Sequence, residues 1–251
     1  MGRLLPLLLV LLMAQAMAQP TAPLRMLVST SYSLPFADIA NAPTGPQLRG
    51  GILLLWGQAL AEKLGRPVQF MLVPPRRVAS QVQQGSFDLQ CFESPDWFVA
   101  SSMPKVDWLS QPLMDYEEIL VGGPDAPLVR QLSELEGRTV GVVNGYKHPL
   151  LEPLFASGKL IRSLAPSEDR LLQMQRVGRT DYSVLNPLQL AYAQSRDASL
   201  RSLQVSPLLV ARTPLYCLRH KQSRLSLREL AEAQQSLLSE GRLADILRRF
   251  R

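Results

Sequence analysis

Residues 51–92, GILLLWGQALAEKLGRPVQFMLVPPRRVASQVQQGSFDLQCF, change period several times within a short stretch. Leu53, Leu54, Trp56, Leu60 and Leu64 recur at helical spacing up to a stop at Gly65, and VQFMLV (68–73) then reads as a strand. RRVASQVQQG is a short helix ended by Gly85, and FDLQCF a buried strand. Upstream, Leu24, Met26 and Val28 alternate in strand fashion before a Ser/Pro-rich loop. The stretch is therefore β-α-β-α-β, and such alternation predicts a mostly parallel sheet with helices on its faces.

The pattern restarts after the extended segment YEEILVGG (116–123). SELEGRTVGVVNG gives a short helix and a strand, EDRLLQMQRVG a helix, and TDYSVLN a strand running into the helix PLQLAYAQS. This is a second α/β unit. The chain finishes with the strand PLYCLRH and the helices SLRELAEAQQSLLSEG and RLADILRRF, the last placing Arg248 and Arg249 at the negative end of its dipole.

At the N-terminus, Arg3 precedes an apolar run from Leu4 to Met13, and Ala16 and Ala18 follow in A-x-A spacing. This predicts an export signal over 1–18, too short for a membrane span and without a cysteine at its cleavage site. The expectation is a soluble periplasmic protein beginning near Gln19. Roughly 230 residues then remain, enough for one large domain or two lobes. The sequence pI is about 9.6, yet Lys and Arg are scattered among Glu, Asp and Gln, so no basic stripe marks a nucleic-acid partner. Cys91 and Cys217 sit in strand-like runs; two buried thiols are expected, with a disulfide as the alternative in an oxidising compartment.

The segments YSLPF, GQALAEKLG, GSFDL, WLSQP, LEGRTVGVVNG, VGRTDYSVLN and SEGRLADILRRF occur in an order and spacing that resembles extracellular solute-binding protein family 3, the periplasmic receptors of amino-acid ABC importers. The resemblance covers the whole mature chain. It implies an α/β, periplasmic-binding-protein-like type II fold with two lobes: residues 19–113 plus 212–251, and residues 114–211, joined by a two-strand hinge. Ligand would bind in the cleft, the protein would be a monomer without a cofactor, and the partner would be an ABC permease or a membrane sensor.

The family's amino-acid clamps do not carry over. The arginine that would hold a carboxylate falls near Ala100, in FVASSMPKV, which has none. The aspartate that would hold an ammonium falls at Asn186, and small hydroxyl residues after the second-lobe glycine are replaced by Tyr146, Lys147 and His148. The resemblance thus implies a divergent branch that captures a small polar or anionic metabolite instead of a standard α-amino acid. Tyr32 matches the aromatic that stacks on ligands, or else packs at a strand end. Arg77 matches an arginine that opens the helix before G-x-x-D in poorly characterised members, where guanidinium and helix dipole would both favour an anion. Glu93 would accept from a ligand cation or hold Arg77 in place. Trp97 would wall the pocket or belong to the core, and Lys147 and His148 would meet an anion or stand in solvent.

Other function classes find less support. Two histidines and two cysteines far apart give no metal-ligand spacing, and nucleophile-elbow and P-loop signatures are absent. A dehydratase-like enzyme on this fold would need Glu93 and His148 as an acid–base pair.

Overall fold

The computed structural model describes residues 21–98 and 105–250; residues 1–18, expected as an export signal, and the Ala100 position lie outside them. Strand β1 (Leu24–Ser29) is buried along nearly its whole length. It lies between two parallel neighbours, β4 (Val68–Val73) and β5 (Leu89–Glu93). Burial on both faces explains why it is almost continuously apolar. Helix α1 (Ile52–Lys63) provides one crossover and buries Ile52, Leu53, Trp56 and Leu60. Helix α2 (Pro75–Gln84) provides the next, opened by a proline at its first position and ended by Gly85 in the left-handed region. Gly85 has a second constraint: a Cβ there would lie 2.7 Å from the His220 ring.

Between β1 and α1 the chain forms a hairpin, β2 (Asp38–Ala42) with β3 (Gly45–Gly50), where the sequence reads as loop. The segment ADIANAPTGPQLRGG lacks an apolar face and is broken by prolines, so nothing in its periodicity signals a strand. Gly51, at φ 98°, lets α1 start against the Phe36 carbonyl, which a Cβ would approach to 2.6 Å.

The remaining strands are β6 (Val106–Trp108), β7 (Met114–Gly122), β8 (Thr139–Val143), β9 (Ile161–Ala165), β10 (Tyr182–Leu185) and β11 (Gln204–His220). Pairing runs β4-β1-β5-β11-β7-β10-β8-β9, with β6 also on β11. The two largest of four hydrophobic clusters flank the middle of this order. One gathers Leu24, Trp56, Phe92 and Leu215 with the C-terminal helices α6 (Leu227–Ser239) and α7 (Arg242–Arg248). The other gathers Leu120, Val140, Leu160 and Tyr182. The second core lies on β8 and β10 with helix α3 (Glu152–Ala156), while helices α4 (Glu168–Arg176) and α5 (Pro187–Arg196) pack on the parallel strands β10, β8 and β9 in a separate cluster with Ala165, Leu171, Leu185 and Leu190. Only β7 and β11 run through both, antiparallel to each other from Met114 to Gly122. The sequence expectation of two α/β lobes joined by two crossing strands is the architecture observed.

One expectation is corrected. Cys91 and Cys217 are a disulfide and not two thiols. They face each other in register on β5 and β11, a juxtaposition hidden by 126 residues of sequence separation.

Candidate functional site

The carboxyl ends of the parallel strands of both lobes open toward one crevice, the place where open α/β sheets bind ligands. Beyond β1 come Tyr32 and Ser33; beyond β5, Glu93 is the last strand residue; beyond β8 comes Tyr146; beyond β9, Glu168 opens α4; beyond β10, Asn186 and Gln189 open α5. A cavity of about 620 Å³ lies here. Its walls come from both lobes: Tyr32, Ser33 and Asp38 on one side, Glu168, Asp169 and Gln189 on the other.

A hydrogen-bond chain ties the walls together. The Ser33 hydroxyl donates to Glu168 Oε2 at 3.3 Å, Gln189 Nε2 donates to Ser33 Oγ at 3.4 Å, and the Tyr116 hydroxyl of β7 donates to Glu168 Oε1 at 3.1 Å. Behind the first wall, the Tyr32 hydroxyl lies 2.8 Å from the Phe92 carbonyl and 3.0 Å from Glu93 Oε1, and Gln90 Nε2 donates to the same carboxylate at 2.6 Å. Phe92 carries φ 63°, a left-handed conformation that costs a bulky residue about 1–3 kcal/mol. The Phe92 carbonyl accepts from the Tyr32 hydroxyl.

Burial dominates the electrostatics. It pushes the Glu93 and Glu168 carboxyls up to about 7, against the opposing pull of their hydroxyl and amide donors, and raises Asp169 as well. Burial first, and the facing carboxylates second, push the phenols of Tyr32, Tyr116 and Tyr146 above their ordinary range. Tyr146 responds to Glu168, Glu93 and Glu118, so these carboxylates and the three tyrosines form one electrostatic neighbourhood.

The sequence-predicted residues divide sharply. Tyr32 lines the cavity, while Glu93 supports it from behind and Tyr146 joins the neighbourhood from the second lobe. Trp97 ends a 3-10 turn (Pro95–Trp97) and sets its half-exposed ring edge-on to Tyr116, 5.7 Å between centroids. Arg77 and Lys147 are exposed, line no part of the cavity and pair with no side chain among the described residues. The alternative in which Glu93 orders Arg77 is replaced: Glu93 is held by Tyr32 and Gln90. His148 is not in solvent but buried, its Nδ1 2.8 Å from Glu118 Oε2. Glu93 and His148 thus have separate partners, and the acid–base pair of the enzyme reading is not formed. Asn186 caps α5, its Oδ1 accepting from Leu188 and Gln189 N–H groups and its Nδ2 donating to the Glu117 carbonyl. It belongs to the joint between α5 and β7 and lines no part of the cavity.

None of Arg77, Lys147 and His148, which the expectation of a small polar or anionic metabolite had offered to an anion, lines this cavity. The charged residues of the lining are Asp38, Glu168 and Asp169, all acidic. Sequence reading missed these three together with Ser33 and Gln189. A usable signal existed for Glu168, since Ser167 followed by two acids marks a helix start after a strand.

No protein-family model and no curated protein sequence matches this chain. Solved structures do. An amino acid ABC transporter substrate-binding protein from Streptococcus pneumoniae bound to L-arginine superposes with a TM-score of 0.69 at 17% identity, covering 90% of this chain and 93% of that one. The fold is that of a periplasmic-binding-protein-like domain. An ancestral arginine-binding protein bound to glutamine matches this fold at TM-score 0.67 and 20% identity over 91% of this chain and 97% of that one. A histidine kinase sensor domain with similarity to periplasmic binding proteins matches it at 0.69 and 20% over 91% and 95%.

Proposed function

We propose that this chain is an exported solute-binding protein that captures a small polar metabolite between its lobes and presents it to an ABC-type permease. The cavity at the carboxyl ends of both sets of strands, walled by both lobes, is the observation that carries this reading. Residues 19–113 and 212–251 act as one body and 114–211 as the other, closing about the crossings near 113–117 and 208–212. Tyr32 and Tyr146 meet the solute, Trp97 covers it, and Glu93 sets Tyr32. Standard α-amino acids are refused, because neither the carboxylate clamp near Ala100 nor an acid at 186 is present. Release of the export signal leaves a periplasmic monomer.

The likeness to a kinase sensor domain favours a second reading, in which the closed lobe pair reports to a membrane sensor. Both readings require a ligand that closes the lobes. Small-angle scattering on the purified protein, after a thermal-shift screen of polar metabolites, should show compaction with every confirmed ligand. An unchanged radius of gyration at saturation, or no ligand from any charge class, refutes them both.

A further inference from the structure

Among the described residues the charged groups of the cavity wall are all acceptors, set beside the neutral Thr30, Asn41 and Tyr192. Asp38, Glu168 and Asp169 contribute carboxylates, and no Lys, Arg or His is among the residues that line it. The stretch 99–104, VASSMP, carries no charge. Gln189 adds an independent sign. Its side chain is more than nine-tenths buried, its Nε2 is committed to Ser33, and its Oε1 has no hydrogen-bond partner among the described residues. Buried amide oxygens are ordinarily satisfied; of the three glutamines whose Oε1 lacks a partner among the described residues, Gln90, Gln189 and Gln234, Gln189 is the one whose residue lines the cavity. Two hydroxyls that could have served an acceptor ligand are already used: Tyr32 donates to the Phe92 carbonyl and Glu93, and Ser33 to Glu168.

An anion entering this site would meet three carboxylates, with only the neutral donors of Thr30, Asn41 and Tyr192 and no cation to compensate. A zwitterionic amino acid would satisfy its ammonium and leave its carboxylate without a charged partner. Ile39, Leu172 and Leu190 offer apolar wall between the polar groups, suited to methylene segments, and about 620 Å³ is metabolite-sized. We propose that the interlobe cavity selects a compact organic cation without a free carboxylate, an alkyl amine or alkyl guanidine, with Glu168, Asp169 and Asp38 as counter-charges and Gln189 Oε1 as an oriented acceptor. This rests on the binding reading above and names its ligand class.

Calorimetry at pH 8 on the full mature chain would compare agmatine, putrescine and cadaverine with arginine, ornithine and lysine, and with succinate and glutarate. At least one of the first three should bind, at least tenfold tighter than its amino-acid counterpart, while the dicarboxylates give no heat. Glu168→Gln keeps an acceptor for one of Tyr116 and Ser33 and turns an N–H to the other hydroxyl oxygen, and should weaken that binding tenfold or more; Asp169→Asn, on the half-exposed side, provides a second variant less exposed to folding defects. The proposal is overturned if no cation binds, if an amino acid or dicarboxylate binds as tightly as the matching cation, or if both variants retain wild-type affinity. A neutral or anionic solute that compacts the protein would sink this inference and leave the binding reading standing; a protein that binds nothing of any charge loses both.

Discussion

Replacing Glu93 with Gln should make the protein more stable at neutral and alkaline pH. Glu93 is 6% exposed, and burial raises its carboxyl from an ordinary 4.5 to about 7 despite donors from Tyr32 and Gln90. Below pH 4.5 the group is protonated in folded and unfolded chains alike, so it makes no difference to folding. As pH rises from 4.5 to 7 the unfolded chain ionises first and is favoured, and above 7 the penalty levels off. At about 1.4 kcal/mol per pH unit the plateau is roughly 3 kcal/mol. Gln keeps the shape and one acceptor oxygen, so the variant forfeits about 1 kcal/mol of charge-assisted bonding in return. Net stabilisation of about 2 kcal/mol at pH 8, vanishing or reversing near pH 4.5, is expected in urea titrations of both proteins across that range. A difference between the two proteins that stays flat from pH 4.5 to 8 would refute the claim that burial controls this carboxyl.

The other expectations concern the hinge, the cap and the cleft. Breaking the Cys91–Cys217 bond with a double Cys→Ala change reopens a loop of 126 residues in the unfolded chain and should cost roughly 5 kcal/mol by the chain-entropy model. An unchanged melting temperature under non-reducing conditions would mean the bond does not form. Asn186→Ala removes an N-cap and orphans the Glu117 carbonyl, and should cost about 1–3 kcal/mol with little effect on cation affinity if the residue acts only as a joint. Binding of an amine should strengthen about tenfold from pH 6 to pH 8, since Glu168, near 7, must ionise to serve as counter-charge. The groups that face it, Ser33, Tyr32, Asp169, Tyr116, Glu118 and Tyr146, include no cation to offset this.

What was legible in the sequence is what local chemistry dictates. Helices α1 and α2 end at Gly65 and Gly85, where a positive φ is needed, and their apolar spacing fixed the strands on either side. The β2–β3 hairpin left no trace, because its pairing is backbone-made with little side-chain burial. β9 stayed unassigned for the same reason, being an edge strand with Ile161 and Leu164 exposed. In the site, Tyr32 could be placed through the resemblance, as the aromatic of YSLPF shortly after the first strand. The ligand-facing role given to Arg77 and Lys147 depended on side-chain direction, which spacing does not carry. Asn186 stood at the right joint, yet a strand-to-helix asparagine reads the same whether it caps its own helix or touches a ligand. Glu168 needed knowledge that β9 and α4 deliver it opposite Ser33, 135 residues away.

The disulfide decides which part of the crossing can give. By fastening β11 at Cys217 to the middle of β5, it makes the C-terminal stretch of that strand part of the same girder that carries Glu93 and, through it, Tyr32. A bending motion cannot be shared evenly along seventeen residues of strand; it is displaced toward the unfastened end, where the register with β7 already slips between Val205 and Ala211. In the closure proposed above, the second lobe, with Glu168 and Gln189 on its rim, would be the swinging jaw, and Tyr32 would belong to the fixed anvil.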